Sequence, residues 1–251
     1  MEEPRAIFGN PDIWDSIFKQ HEGVFRSIEK LRAVARELIS ATKDSTQELV
    51  QVLNALTQVC SETMFDVLLL AGNNRGTGAM KVARGMFEIS VVSAYLERNP
   101  KELEAYLSFS IVEAWRHLQA VEKYDPGIVS RELMKQAESE YNRVKSQFSN
   151  AAGRVQFRWT KKSLRQMAEE VGVLNIYEIA YSSASELHHV PLIGIIAHEL
   201  NWLREALFVA NGSLLKAVVS LYNVHDDTAS DLRSRVNEVV ANFKANHKKT
   251  Q

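Results

Sequence analysis

The stretch WTKKSLRQMAEEVGVLNIYEIAYSSASELHHVPLIGII, residues 159–196, concentrates reactive and hydrogen-bonding side chains inside apolar sequence. Within it, Tyr177, Tyr181, Ser185 and His189 recur at every fourth residue. On an α-helix this spacing places the side chains in one slowly drifting stripe, each about a turn above the last. The pattern predicts a helix over about residues 174–189, with one polar face around which the rest of the chain is organised.

A second segment, from Ala79 to Glu97, is apolar almost all round, which is typical of a helix buried on most sides. Arg84, Glu88 and Tyr95 share one face of that helix by their spacing. Two interpretations are open. In the first, Arg84 and Glu88 form a structural ion pair that sets the helix register, because a buried charge is costly without a partner. Alternatively, Arg84 is the cation for a carboxylate or phosphate, and Glu88 holds it in place.

The remaining sequence also follows helical periods, and nothing in it reads as a β-hairpin. Helices are expected from Asp12 to about Lys43, and from a capping box at Ser45 and Glu48 to Gly72. Short links between such helices predict antiparallel hairpins. We expect an all-α, single-domain bundle of about eight to ten helices.

The punctuation of the chain suggests three parts. An N-terminal helix is expected over residues 1–44, and a core helical domain over residues 45–212, where Gly212 would end a helix. The C-terminal helices, residues 213–251, are expected to pack on that core. A C-terminal helix would be capped by Asp226 or Asp227.

Composition excludes several classes of protein. With 30 basic and 31 acidic residues, the formal net charge of −1 gives no global footprint for nucleic acid or anionic membrane. Cys60 is the only cysteine, so no intrachain disulfide can form, which fits a reducing compartment. The N-terminus lacks a signal-peptide pattern, and no apolar run approaches the roughly 20 residues of a membrane span. We expect a soluble, cytoplasmic protein with no membrane partner.

Ser185 and His189 are the candidates for nucleophilic catalysis, because their i,i+4 spacing permits a hydrogen bond between them. However, no glycine-flanked nucleophile turn surrounds Ser185, and no orienting carboxylate is evident nearby. The simpler interpretation makes Ser185 a helix-contact residue and His189 a helix-end residue that interacts with the helix dipole.

A metal site is not predicted. Glu186 and His189 form one Glu-x-x-His motif, but di-iron bundle sites need two such motifs and two further glutamates. His198-Glu199 lacks the second histidine of a zinc-protease motif, since position 202 is Trp. No cofactor is predicted either.

One segment departs from the neutral charge balance. No acidic residue occurs from Tyr141 to Ala168, while aromatic residues are interleaved with basic ones. Cations among aromatics in a loop are what single-stranded nucleic acid or a phosphorylated ligand uses, although a solvated basic face is the simpler interpretation. The nucleic-acid candidates are Arg154, Arg158, Lys161, Lys162 and Arg165.

Taken together, the polar residues resemble a bacterial family catalogued as domain of unknown function 5677. The resemblance spans about residues 50–200 and rests on Arg84, Glu88, Tyr95, Asn99-Pro100, Trp159, Met167-Ala168, Gly172, Tyr177, Tyr181, Ser185 and His189. It implies an all-helical cytoplasmic protein with these polar residues gathered at one place, and it implies no established activity. The Arg-x4–6-His signature of HEPN ribonucleases does not occur in the chain.

Three functions are therefore carried forward. The leading hypothesis is a protein that binds a small anionic or phosphorylated ligand, or a partner protein, in a cleft lined by the cluster Arg84, Glu88, Tyr95, Tyr177, Tyr181, Ser185 and His189. The second is a phosphoester hydrolase or RNA-processing enzyme in which His189 is the acid/base and Arg84 stabilises negative charge. The third is a homo-oligomeric structural or interaction protein, with a two-fold homodimer as the default.

Overall fold

The computed structural model describes residues 9–182, 199–225 and 230–248, and the chain in these ranges is all-α, as predicted. The only β-type pairing among them is an isolated bridge between Ser149 and Val155. The α-helices, in chain order, are α1 Pro11–Gln20, α2 Glu22–Thr42, α3 Glu48–Gly72, α4 Gly76–Arg98, α5 Leu103–Tyr124, α6 Arg131–Val144, α7 Leu164–Glu170, α8 Leu174–Tyr177, α9 Glu199–Val224 and α10 Ser230–Lys248.

The chain forms two compact units. Unit 1 comprises Met1–Arg98 and Leu164–Gln251, and unit 2 is the intervening segment Asn99–Ser163. The prediction of one helix from Asp12 to Lys43 was wrong, because the helix is interrupted at His21. The N-cap is also two residues earlier than the expected Asp12, since the Asn10 side chain accepts a hydrogen bond from the Asp12 amide at 2.9 Å.

The core of unit 1 is formed where α9 packs along α4 and α3. Small residues on the facing helices, such as Ala83 and Ala94 on α4 and Ala210 and Ala217 on α9, are fully buried. Their short side chains let helices approach closely, and the Thr57 hydroxyl of α3 bonds the Ala217 carbonyl oxygen at 3.3 Å. Unit 1 is thus held by aliphatic and small side chains in close helix-on-helix contact.

A second predicted helix boundary, at Gly212, was also wrong. Gly212 was expected to end a helix, but α9 runs through it without interruption to Val224. Glycine stays helical here because tertiary packing outweighs its low helix propensity; a Cβ added at Gly212 would lie 3.2 Å from the Phe243 ring and 3.8 Å from the Ile176 side chain. The start of α10 is at Ser230, and the predicted caps Asp226 and Asp227 lie outside the described residues.

In the described part of the chain, one stretch, Trp202–Val224, is long and apolar enough to cross a membrane by length and composition. Of its most apolar window, 67% is buried inside the protein. The core helix of a soluble protein has the same properties, because it must be apolar on most sides. The stretch is therefore compatible with a soluble protein.

Unit 2 is built from α5, α6 and the loop that follows them, around a core of aromatic rings. Phe109 and Phe148 meet edge to face at 5.1 Å, and Trp115 stacks on Tyr141 at 5.7 Å. Val112 and Val144 complete the buried centre. Aromatic pairs contribute both area and preferred ring geometry, which suits a unit with few residues to bury.

Candidate ligand-binding site

Arg84 and Glu88 lie on α4 in unit 1 and form the i,i+4 ion pair that their spacing allows. The Arg84 Nε–Glu88 Oε1 distance is 3.3 Å, and the side chains are 21% and 43% exposed, respectively. The Arg84 side chain is therefore mostly buried, while the Glu88 side chain is more exposed. A pair with this exposure contributes only about 0–1 kcal/mol.

Tyr95 lies on the same stripe of α4, three turns along from Arg84, and is 1% exposed. Its ring belongs to the core of unit 1. A buried tyrosine hydroxyl needs a hydrogen-bond partner, which fixes the Tyr95 side chain within that core.

Tyr177 is brought to α4 by the sharp reversal at Gly172. That glycine has φ of +76°, and the Val173 amide donates a hydrogen bond to the Ala168 carbonyl at 2.8 Å, which ends α7. The Tyr177 ring then lies 6.4 Å from the ring of Phe87, one residue before Glu88. The structure thus brings Tyr177 to the segment of α4 that carries the ion pair.

The segment after Tyr177 differs from the prediction. A continuous α-helix from Leu174 to His189 was expected, but α8 ends at Tyr177 and residues Glu178–Ser182 form a π-helical turn. Hydrogen bonds from i to i+5 change the rotation per residue, so the every-fourth stripe does not continue as it would on an α-helix. Single π turns of this kind are frequent at functional sites.

Only part of the predicted cluster can be placed. The backbone of Tyr181 is in the π-helical turn, but its side chain, Ser185 and His189 lie outside the described residues. The structure pairs Arg84 with Glu88 and places the Tyr177 ring near Phe87 of the same helix. The gathering of all seven residues at one place stays a prediction.

The end of α4 carries polar residues that sequence reasoning missed. The Glu97 carboxylate accepts a hydrogen bond from Asn223 of α9 at 2.7 Å, and Arg98 donates to the Glu170 carbonyl. Lys216 of α9 interacts electrostatically with Glu97 and Arg98. Its pKa is lowered, mainly by burial; Glu97 opposes this shift and Arg98 adds to it. The available signal was a lone lysine in the apolar sequence of α9.

The five basic candidates divide between the units. Arg165 is in unit 1 and is ion-paired with Glu178 at 3.1 Å. The other four are in unit 2, where Lys162 is partly buried and Arg154, Arg158 and Lys161 are exposed. Of the interleaved aromatics, Phe148 is a core residue and Phe157 is exposed.

Residues 9–182, 199–225 and 230–248 contain no group of three or more His, Cys, Asp or Glu side chains placed to hold a metal ion. The Glu-x-x-His motif at Glu186 and His189, together with His198, lies outside those ranges.

Comparison with known proteins gives one match. No curated protein and no solved structure matches the chain. The model of a family of unknown function, DUF5677, matches residues 50–200, which include α3 to α8, the ion pair on α4 and the π-helical turn. This match covers more than half of the sequence, and the chain belongs to the DUF5677 family.

Proposed function

We propose that the protein binds a small anionic or phosphorylated ligand in unit 1, beside α4, with Arg84 as the cation that recognises it. The observation that carries this proposal is the Arg84 side chain, only 21% exposed, on α4, a helix that packs against the π-helical turn. An enclosed guanidinium is a strong anion partner, because its planar donors match carboxylate and phosphate oxygens and little water screens the interaction.

The surroundings of Arg84 support the same chemistry. The Arg84 Nε contacts the Glu88 carboxylate at 3.3 Å, and this carboxylate is partly in solvent. A ligand anion can therefore share the guanidinium while Glu88 turns toward water. Tyr177, whose ring lies 6.4 Å from the ring of Phe87 on the same helix, carries a hydroxyl of the kind that specific sites use as a directional hydrogen-bond donor.

The second candidate function is a phosphoester hydrolase or an RNA-processing enzyme. It needs an acid/base, for which the candidate is His189, and Arg84 would stabilise negative charge. His189 lies outside the described residues. The proposal takes the protein as cytoplasmic, which the buried free thiol of Cys60 supports.

The test measures whether an anion stabilises the protein through Arg84. Thermal unfolding is followed with and without inorganic phosphate, and with adenosine monophosphate as a phosphorylated organic probe. A ligand at about 100 times its Kd adds about 2.7 kcal/mol to the free energy of unfolding. We expect this gain in the unaltered protein and its loss in Arg84→Gln.

Arg26→Gln is the matched control, because Arg26 forms the same kind of i,i+4 pair with Glu22 but in an exposed setting on α2. It should keep the full stabilisation by the anion. Equal stabilisation of Arg84→Gln and the unaltered protein would contradict the proposal, as would no stabilisation by either probe. Native mass spectrometry of protein from its own host then identifies any retained ligand.

A further inference from the structure

A second cation-bearing feature is found in unit 2, at the loop that follows α6. The loop is ordered by its own hydrogen bonds: the Asn150 side chain accepts from the Ala152 and Arg154 amides at 3.0 and 2.9 Å. Gly153 has φ of +72°, and the Gln156 amide bonds the Phe148 carbonyl at 2.8 Å. The loop therefore presents its side chains from a defined backbone.

Arg116 of α5 holds the far side of this loop. Its guanidinium donates to the Val155 and Gln156 carbonyls at 3.3 and 2.7 Å, and lies 4.8 Å from the ring centroid of Phe157. Fixed by two carbonyls, the guanidinium supports one face of the Phe157 ring. A ring held in this way loses little freedom when another planar group stacks on it.

Phe157 is 86% exposed, which is unusual for a phenylalanine that belongs to an ordered loop. The neighbouring aromatics are used differently. Trp159 packs edge-on against Tyr106 at 5.3 Å, and Phe148 is in the core. Phe157 is thus the ring of this segment that is presented to solvent.

Exposed cations accompany that ring. Arg154, Arg158 and Lys161 are exposed, and their side chains form no ion pair within the described part of the chain. No acidic residue occurs between Tyr141 and Ala168, so no carboxylate in the segment competes for them. Cations flanking an exposed ring match the phosphates and the bases of a flexible strand.

We propose that this loop binds a single strand of nucleic acid, with a base stacked on Phe157 and phosphates bound by Arg154, Arg158 and Lys161. Stacking on an aromatic ring accepts every base, so recognition is tolerant of sequence. A duplex offers no unstacked base and is bound less well. The site is separate from the anion site beside α4 and does not depend on it.

The experiment measures fluorescence anisotropy of labelled oligouridine and oligodeoxythymidine, each about 12 nucleotides long, with full-length protein. We expect binding of single strands, and about 5- to 150-fold weaker binding by Phe157→Ala. Arg154→Gln combined with Arg158→Gln should weaken binding and make the plot of log K against log salt shallower by roughly 0.7 for each lost phosphate contact.

Tyr124→Ala is the matched control, since Tyr124 is also an exposed ring in unit 2, 80% exposed, with the Lys123 ammonium 5.1 Å from its centroid. It should leave the affinity unchanged. Stronger binding of the RNA strand and equal binding of both strands each support the proposal. It is overturned if neither strand binds, if duplex RNA binds equally well, or if Phe157→Ala binds as the unaltered protein does.

Discussion

The cores of the two units are built from different kinds of side chain. Unit 1 buries aliphatic and small residues between long helices, as where α9 lies along α4, and its glycine at the end of α3 makes room for a ring. Unit 2 buries rings such as Phe109 and Trp115, and leaves others in solvent. The stability of closely packed helices is sensitive to small changes in side-chain volume. In unit 2 the exposed rings, such as Phe157, are where we expect function.

The largest expected effect concerns access to the core of unit 1. Burial raises the pKa of the Cys60 thiol to about 12, and its Sγ lies 3.8 Å from the Met86 carbonyl oxygen. A buried thiol without thiolate character reacts only through unfolding. We expect labelling of Cys60 by a disulfide reagent to be at least about a thousandfold slower than that of an unfolded thiol.

Cysteine introduced as Ile128→Cys in unit 2, where Ile128 is exposed, should be labelled at the rate of a free thiol. Counting labels against time by mass spectrometry distinguishes the two positions. Rapid labelling of Cys60 in native protein would contradict the close packing of unit 1.

A smaller effect on stability is expected at two positions, Gly72 and Gly153, that require glycine for different reasons. A Cβ at Gly72 in unit 1 would lie 2.3 Å from the Trp14 ring, so Gly72→Ala should lower the free energy of unfolding by about 1–3 kcal/mol. Gly153 in unit 2 has open space around it but φ of +72°. Gly153→Ala should cost about 1–2 kcal/mol through backbone strain.

Asparagine distinguishes the causes, because it tolerates left-handed backbone but is larger than alanine. Gly153→Asn should be better tolerated than Gly153→Ala, whereas Gly72→Asn should be worse than Gly72→Ala. Urea denaturation measures all four variants. The same ranking at both positions would refute the distinction.

The smallest effects are on the pH dependence of stability. In unit 1, burial and then Arg204 lower the pKa of His21 from 6.5, so the unfolded state binds a proton more readily. Stability should therefore be lost as the pH falls below about 6.5. In unit 2, burial and then Glu113 raise the pKa of Tyr106 above 10.0, so stability should be lost as the pH rises above that value.

Thermal midpoints measured across the pH range test both predictions. His21→Gln should reduce only the loss of stability at acid pH, and Tyr106→Phe only the loss at alkaline pH. If His21→Gln leaves the acid loss of stability unchanged, that loss is due to other groups.

Much of the site could be predicted only as a set of residues. The i,i+4 pairing of Arg84 and Glu88 follows from helical geometry. The enclosure of Arg84 and the approach of Tyr177 to Phe87 depend on packing between segments far apart in the chain. Ser185 and His189 lie outside the described residues, and their part in the cluster remains a prediction.

The sequence by itself determined the all-α class, the family and the approximate extent of helices such as α3 and α4, because helical period acts over a few residues. Tertiary structure decided where local signals were overruled. Gly212 stays inside α9 because its neighbours pack on both sides, and the segment after Tyr177 takes a π-helical turn instead of extending α8. Tertiary structure also decided which cations are paired, as Arg165 is with Glu178, since that depends on residues brought together by packing.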